Sequence, residues 1–341
     1  MNRIIKIRFC WLLILPIFVV WCGLSLAANP TIHIYTAGYY NNGSINIPCY
    51  WIDKEKYDLT TNGYNAKAFS IFVSGNNVYT AGVMDDGAKG VPCFWIGADR
   101  TDLPDDGIHT ATATSVYVYN NTVYTAGYYN DGFKNIACYW TDTTRTDLPG
   151  DGSHNAVANS IYVVNDVVYT SGYYNNGTQI IPCYWVGNIK QALPSQGSPD
   201  GAARSIFVVN NKIYTAGYYQ INNKHHPCYW IGANRTDLPM SQQGRAYSIC
   251  VVDNKVYIAG SNIEGSKGMS SCYWMGGTTI RALPNGREAY SISVYNDVVY
   301  TAGFYSFSQR GKAPCYWIGS NQYNLNISKS HQGEAFSIYV Q

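Results

Sequence analysis

Apolar and polar residues alternate over short stretches along most of the chain. In one repeating unit, the segments Asn159–Val164, Val167–Tyr174 and Ile180–Val186 are rich in β-branched and aromatic residues, which predicts β-strands. The dipeptides Asn165-Asp166 and Asn176-Gly177 lie between them and are typical of hairpin turns, because Asn, Asp and Gly tolerate positive φ. A short fourth strand is predicted before the next loop. From residue 28 onward no segment has helical periodicity over a useful length.

Three residue types recur in one fixed register. The tryptophans of this register are 43 to 45 residues apart, namely Trp51, Trp95, Trp140, Trp185, Trp230, Trp274 and Trp317. A cysteine precedes each of them by two positions, namely Cys49, Cys93, Cys138, Cys183, Cys228, Cys272 and Cys315. A glycine preceded by Ala or Ser has the same period, at Gly38, Gly82, Gly127, Gly172, Gly217, Gly260 and Gly303. Four-stranded units with this period are typical of the blades of a β-propeller.

The two ends of the repeat region predict how the ring closes. Residues Ile32–Gly38 have the sequence of a second strand, whereas Ala335–Val340 has that of a first strand with no second strand after it. Pairing these two segments would complete one blade and remove two open sheet edges. We therefore predict an all-β, seven-bladed β-propeller that occupies residues 28–341 as a single domain. Its blades of about 45 residues have four strands each, and the C-terminal strand closes the last blade against the N-terminal strands.

The repeated Cys and Trp favour a packing role. Strand alternation places both side chains on one face, and the Ala-Gly or Ser-Gly pair of the second strand leaves room for an indole from a neighbouring blade. The cysteines lie on different blades, too far apart for disulfides, and are predicted to be small buried hydrophobic residues. Cys250 lies outside this register, where other units carry Tyr, Phe or Ser. Its pairing with Cys272 is disfavoured because first and third strands are not adjacent.

The first 27 residues resemble a signal peptide. Arg3, Lys6 and Arg8 form a basic region, an apolar region follows, and Ser25-Leu26-Ala27 offers the small residues that signal peptidase requires. Cleavage after Ala27 predicts an exported protein that is periplasmic, secreted or on the cell surface. No later segment is apolar enough for a transmembrane span. The alternative is a lipoprotein acylated at Cys22, although a tryptophan stands where a small residue is expected before that cysteine.

Composition excludes two classes of protein. Only 13% of the residues are charged, whereas 15% are aromatic. This aromatic content is too high for a disordered chain. The net charge of +2 becomes −1 once the three basic residues of the signal peptide are removed. A nucleic-acid partner is therefore not expected, because such a partner requires a strongly basic surface.

The sequence contains no pattern typical of catalysis, cofactor binding or a metal site. The sequence has no nucleophile elbow, no phosphate-binding loop and no paired carboxylates. Most of its histidines fall on different blades. The pair His225-His226 is a weak metal candidate. Asp105-Asp106-Gly107 and Gly150-Asp151-Gly152 are better explained as turns. We expect no cofactor and no metal.

Binding potential is concentrated at one end of the propeller. The hairpins between second and third strands and the interblade loops share one face of a propeller, which we call the hairpin face. Flat aromatic rings beside amide side chains suit sugar or peptide surfaces. The candidate binding residues on this face are Tyr40, Asn41, His109, Tyr129, Asn130, His154, Tyr174, Asn175 and Tyr219. The alternative is that these tyrosines pack along their own hairpins as cross-strand pairs.

The unit resembles the bacterial extracellular HAF repeat. The resemblance rests on Val168–Tyr173, on Cys183-Tyr184-Trp185, and on an Asp-Leu-Pro step such as Asp147-Leu148-Pro149, and it spans all seven units. Pro-Cys-Tyr-Trp stands where that family has His-Ala-Phe-Leu-Trp. The resemblance implies an exported bacterial β-protein and no particular activity.

Three functions remain open at this point. The leading hypothesis is a non-enzymatic propeller that binds an unknown protein or glycan at the cell envelope. The alternatives are a carbohydrate-active lyase or hydrolase with its site on the hairpin face, and a purely structural envelope protein. Unlike polar residues from three or more blades, brought together in a central funnel, would favour a specialised site.

Overall fold

The computed structural model describes residues 31–265, 268–307, 311–327 and 332–341. The predicted signal peptide and Cys22 lie outside the described residues. The first half of the strands comprises β1 (Ile34–Asn41), β2 (Asn46–Ile52), β3 (Glu55–Asp58), β4 (Ala66–Ser74), β5 (Asn77–Asp85), β6 (Gly90–Ile96), β7 (Asp99–Asp102), β8 (Ala111–Tyr119), β9 (Thr122–Asn130), β10 (Asn135–Thr141), β11 (Thr144–Asp147), β12 (Ala156–Val164), β13 (Val167–Asn175) and β14 (Ile180–Val186). The second half comprises β15 (Ile189–Ala192), β16 (Gly201–Val209), β17 (Lys212–Ile221), β18 (Lys224–Ile231), β19 (Asn234–Asp237), β20 (Gln243–Val252), β21 (Lys255–Ile263), β22 (Met269–Met275), β23 (Thr279–Ala282), β24 (Gly286–Tyr295), β25 (Val298–Ser306), β26 (Lys312–Ile318), β27 (Asn321–Asn324) and β28 (Gly333–Val340).

These strands form seven antiparallel four-stranded sheets, which are the blades of the propeller. Blade 1 has the order β28-β1-β2-β3, and blades 2 to 7 each use four consecutive strands from β4 onward. The innermost strands contact one another in a closed circle, in the order β28, β4, β8, β12, β16, β20 and β24. The predicted all-β, seven-bladed β-propeller is therefore confirmed.

Blade 1 closes the ring with strands from both ends of the repeat region. Strand β28 pairs antiparallel with β1 from Ile34↔Val340 to Tyr40↔Gly333. Next to the pair Ile34↔Val340, the His33 amide donates to the Gln341 carbonyl at 2.8 Å. The two segments meet where the other blades have a two-residue turn between their first and second strands. The predicted closure by the C-terminal strand is confirmed.

The seven tryptophans lie in the seams between blades and are fully buried. Trp185 packs in one cluster with Ala126 of the preceding blade. Its indole N–H donates to the Pro149 carbonyl of the loop between the two blades at 3.0 Å. Equivalent hydrogen bonds of 2.8 to 3.2 Å occur at all seven tryptophans, and the acceptor is always the residue after the repeated leucine. Each indole thus contributes both packing and a hydrogen bond to its seam, and the acceptor is a backbone carbonyl that Thr60 and Asn326 supply in the two blades without proline.

All eight described cysteines are free and buried. Burial raises the pKa of the Cys183 thiol well above its usual value. The repeated cysteines therefore occupy the seams as small uncharged side chains, beside the tryptophans.

Each innermost strand contains a β-bulge at the same position. In blade 4 the pairing jumps from Ala158↔Gly172 to Ser160↔Ser171, which leaves Asn159 without a cross-strand partner. The same register shift occurs in every blade. A Cβ on Gly172 would come within 1.9 Å of the Val157 carbonyl oxygen. The repeated glycine is therefore required by the close approach of backbone at the bulge.

The serine after each bulge links neighbouring blades. Ser160 accepts a hydrogen bond from the Ile206 amide of the next innermost strand at 3.3 Å. All seven innermost strands make this contact, at 3.0 to 3.3 Å, including the step from Ser291 to Ile338 that closes the circle. We call this ring the serine belt; its members are Ser70, Ser115, Ser160, Ser205, Ser248, Ser291 and Ser337.

A repeated threonine of the second strand is buried without a hydrogen-bond partner. Six blades carry it, and the Oγ1 of each finds no acceptor or donor, at Thr36, Thr80, Thr125, Thr170, Thr215 and Thr301. Blade 6 has Ile258 at the same position, and that side chain is fully buried. A buried hydroxyl without a partner costs free energy, so these positions favour an apolar residue.

We expect Thr170→Val to raise the free energy of unfolding by about 1 kcal/mol, because it removes a buried hydroxyl and keeps the shape of the side chain. Urea denaturation followed by fluorescence measures the change. Thr144→Val, on an exposed outer strand, is the matched control and should change the free energy by less. A clear loss of stability in Thr170→Val would show that the hydroxyl has a partner.

We expect Ser160→Ala to lower the free energy of unfolding by about 1–3 kcal/mol, because the Ile206 amide loses its acceptor within the channel wall. The same denaturation experiment applies. Ser44→Ala, on an exposed hairpin, controls for the loss of a hydroxyl at the surface. Equal stabilities of the two variants would contradict a structural role for the serine belt.

Candidate functional site

The seven bulged residues form a ring around one cavity of the central channel. The cavity has a volume of about 440 Å³ and lies toward the hairpin face, where the innermost strands begin. We call these residues the bulge ring; its members, all of which line the cavity, are Phe69, Thr114, Asn159, Arg204, Tyr247, Tyr290 and Phe336. Bulges re-aim side chains, and here each one turns a side chain toward the same space. Unlike residues from all seven blades therefore converge at one place.

Four of the seven bulge-ring residues are aromatic. Phe69, Phe336, Tyr290 and Tyr247 belong to blades 2, 1, 7 and 6 and follow one another around the channel. Each neighbouring pair of rings has its centres 5.4 Å apart. This spacing is typical of tilted and edge-to-face aromatic contacts, so the four rings form a continuous apolar wall.

The other three bulge-ring residues are polar. Thr114 donates to the Ala158 carbonyl at 2.8 Å, and Asn159 donates to the Ala203 carbonyl at 2.9 Å, each on the next blade. Arg204 has a contact of 3.5 Å to the Tyr218 hydroxyl, and its buried Nε has no hydrogen-bond partner. The aromatic wall thus faces hydroxyl, amide and guanidinium groups across the cavity.

Two carboxylates hold the tyrosines of the aromatic wall. Tyr290 contacts Glu288 at 2.6 Å and Glu334 at 2.8 Å, and Tyr247 donates to Glu288 at 2.6 Å. Burial, followed by the charge of Glu288, raises the pKa of both phenols. Tyr39 donates to Glu334 at 2.9 Å, so both carboxylates are tied to phenols of the blade 6–7–1 sector. The glutamates lie behind these side chains and do not line the cavity.

A second aromatic layer lies deeper in the channel, three residues after the bulge ring. Rings of Tyr339, Phe72, Tyr117, Tyr162 and Phe207 contact one another in sequence, with centres 4.6 to 5.1 Å apart. Blade 6 has Cys250 at this level, which explains why that cysteine lies outside the seam register. These side chains pack beneath the cavity, so its mouth is at the hairpin face.

None of the nine binding residues predicted from sequence lines this cavity. The tyrosines among them contact a cation from the outermost strand of their own blade, 3.4 to 4.0 Å from the ring centre, in the pairs Tyr40 with Lys56, Tyr129 with Arg145, Tyr174 with Lys190 and Tyr219 with Arg235. The Tyr129 hydroxyl donates to Asp147 at 3.0 Å; burial, with the help of this bond, raises the pKa of Tyr129 to about 12. These contacts favour the alternative of packing within each blade.

The predicted asparagines and histidines stabilise loops. Asn41, Asn130 and Asn175 each accept the amide of the hairpin glycine two residues later, at 2.7 to 2.8 Å. The Nδ1 of His109 lies 2.5 Å from Asp106, and the Nδ1 of His154 lies 2.5 Å from Asp151 in the equivalent loop. The nine residues are spread around the outer part of the hairpin face, and their role in binding remains a prediction.

The bulge ring has a signal in the sequence, which is one variable position inside a constant part of the repeat. In each unit one position lies between a repeated alanine and a repeated serine, and only this position changes from Phe to Thr, Asn, Arg or Tyr among the blades. Variation inside an otherwise constant segment marks a position released from the packing of the repeat. Only the bulge, which the sequence pattern did not reveal, shows that these side chains meet.

Two further observations concern the part of the chain that the structure describes. No group of three or more His, Cys, Asp or Glu side chains is placed to hold a metal ion. In the same residues, no helix has both the length and the apolar character needed to cross a bilayer.

Comparison with known proteins supports the fold. No protein-family model matches the sequence, and a search of curated proteins found no match. Among solved structures, the chain is similar to the β-propeller domain of the Trilobed protease from Pyrococcus furiosus, with a TM-score of 0.51 and 13% identity, over 87% of this chain and 95% of that chain. That domain is described as having an open velcro topology, whereas β28 closes the ring in this chain. At this identity the likeness extends to the fold alone, and the chain is a seven-bladed β-propeller.

Proposed function

We propose that this protein is an exported, non-enzymatic propeller that binds a glycan in the cavity of the bulge ring. The observation that carries the proposal is the bulge ring itself, where seven unlike side chains replace an otherwise constant repeat. A purely structural propeller has no need for such variation. The resemblance of the N-terminal residues to a signal peptide, and the similarity of the unit to HAF repeats, support export to the envelope.

The size and lining of the cavity support a glycan over a folded protein. Its volume of about 440 Å³ is within the range of small-ligand sites, about 300–1,000 Å³. Sugar rings present an apolar face and a rim of hydroxyls. The wall of Phe69, Phe336, Tyr290 and Tyr247 suits the apolar face, and Thr114, Asn159 and Arg204 suit the hydroxyls. A folded protein would contact the outer loops instead.

The test is a glycan array followed by calorimetric titration of each hit with wild-type protein and variants. We expect Phe69→Ala and Tyr290→Ala to weaken binding at least tenfold, because each removes part of the aromatic wall. Tyr129→Ala, on the outer hairpin face, is the matched control and should bind as the wild type does. Circular dichroism verifies folding of each variant. The proposal fails if no glycan binds, or if only the Tyr129 variant loses binding.

A second candidate, a glycan-cleaving enzyme, is favoured by one observation. Since Tyr290 contacts both Glu288 and Glu334, the two carboxylates are separated by roughly 5 Å at most, as in glycosidases that use a carboxylate pair. Their position behind the tyrosines disfavours direct contact with a ligand. Binding therefore remains the better-supported function.

Incubation of the protein with each glycan that binds, followed by assay of new reducing ends, decides between these functions. Under the binding proposal no cleavage is expected. If cleavage occurs, the enzyme candidate requires its loss in Glu288→Gln and Glu334→Gln with binding retained. Asp147→Asn, which removes a carboxylate on an outer strand, is the control that must keep the activity.

A further inference from the structure

Two arginines at one side of the cavity have no carboxylate partner. Neither Arg204 nor Arg245 has an Asp or Glu oxygen within 4 Å among the described residues. The other described arginines near a carboxylate, such as Arg145 and Arg235, pair with an aspartate of the same strand at 3.1 and 2.9 Å. Both unpaired arginines are half-buried, and the Nε of Arg204 is fully buried without a partner.

The two guanidinium groups lie on adjacent blades around one tyrosine. The Cζ of Arg204 is 5.6 Å from the centre of the Tyr218 ring, and that of Arg245 is 5.3 Å from the same centre. Arg204 lines the central cavity, whereas Arg245 lines a second cavity of about 240 Å³ beside it. The two guanidinium groups therefore lie on either side of the buried Tyr218 ring, one at the central cavity and one at the second cavity.

His225 and Asp200 lie beside the two arginines without neutralising their charges. The Nε2 of His225 is 3.4 Å from Asp200, and its ring is 3.3 Å from Arg245. Burial, followed by the charge of Arg245, lowers the pKa of His225, which disfavours a positive charge on its imidazole. Asp200 is beyond ion-pair distance of both arginines, and so the two positive charges remain available.

The carboxylates behind the aromatic wall already have hydrogen-bond or ion-pair partners. Glu288 accepts from two phenols, and Glu334 accepts from Tyr39, is in contact with Tyr290 and forms an ion pair with Lys312 at 3.1 Å. The cavity is thus polarised, with satisfied carboxylates on blades 7 and 1 and unpaired guanidinium groups on blades 5 and 6. Burying a cation that has no anionic partner costs free energy, and a bound anion would offset that cost.

We propose that the ligand is an acidic glycan that places one anionic group on Arg204 in the central cavity and another on Arg245 in the second cavity. The inference rests on the proposed function, because it names the class of glycan that the cavity takes. Arginine binds carboxylate or sulfate through two parallel N–H donors, so a uronic acid and a sulfated sugar share the required chemistry. The buried ring of Tyr218 lies against both guanidinium groups and helps to hold them in place.

The experiment compares ligands that differ only in charge. Oligogalacturonate, the same oligosaccharide as its methyl ester, and a sulfated tetrasaccharide are titrated calorimetrically into the protein at low and high salt. We expect the acidic form to bind at least tenfold more tightly than its methyl ester, with a difference that shrinks as salt screens the charges. The sulfated ligand shows whether the anionic group is a carboxylate or a sulfate.

Variants test whether these two arginines bind the anionic groups of the ligand. Arg204→Gln and Arg245→Gln should each lower the affinity for the acidic ligand at least tenfold and lower that for the methyl ester by a much smaller factor. Arg281→Gln, at an exposed outer strand, is the control and should leave both affinities unchanged. Equal binding of both ligands, or arginine variants that bind as the wild type does, would overturn the inference while leaving glycan binding intact.

Monomeric galacturonate and inorganic sulfate separate this inference from the proposed function. If no oligosaccharide binds but either small anion stabilises the wild type against heat and does not stabilise Arg204→Gln, the anion site stands and glycan binding fails. If neither the oligosaccharides nor the small anions bind, both proposals are wrong.

Discussion

The channel of this propeller depends on one backbone constraint, the bulge in each innermost strand. A bulge brings the second strand so close that Gly172 and its equivalents have no room for a Cβ. It also turns one side chain per blade toward the axis and leaves the next serine free to accept an amide from the neighbouring blade. Loss of the bulge would therefore disturb the cavity and the serine belt together, because both are produced by the same extra residue.

The seams supply the rigidity that such a cavity needs. Each indole is buried against a small residue of the preceding blade and is fixed by a hydrogen bond to that blade's loop. Stability therefore resides in contacts between Trp, Cys, Ala and Leu-Pro, at some distance from the axis. A bulge-ring side chain takes little part in these contacts. The scaffold and the candidate site are consequently built from different positions of the same repeat.

Much of this architecture could be predicted from the sequence. The period, the strand alternation and the two incomplete ends determine the number of blades and their closure, because each depends on local patterns repeated seven times. The site could not be predicted in the same way. Tyr40, Tyr129, Tyr174 and Tyr219 have the composition of a binding surface, yet a cation from the outermost strand contacts each ring. Asn159 and Arg204 meet across blades only because of the bulge, which a hydrophobic pattern does not report.

The closure of blade 1 has a consequence for orientation. His33 and Gln341 pair where other blades have the turn between first and second strands, and these turns lie at the end of the propeller opposite to the hairpin face. The strand pair that closes the ring therefore lies at the end of the propeller away from the cavity mouth. A long polymer that enters the mouth from the hairpin face does not pass this closure.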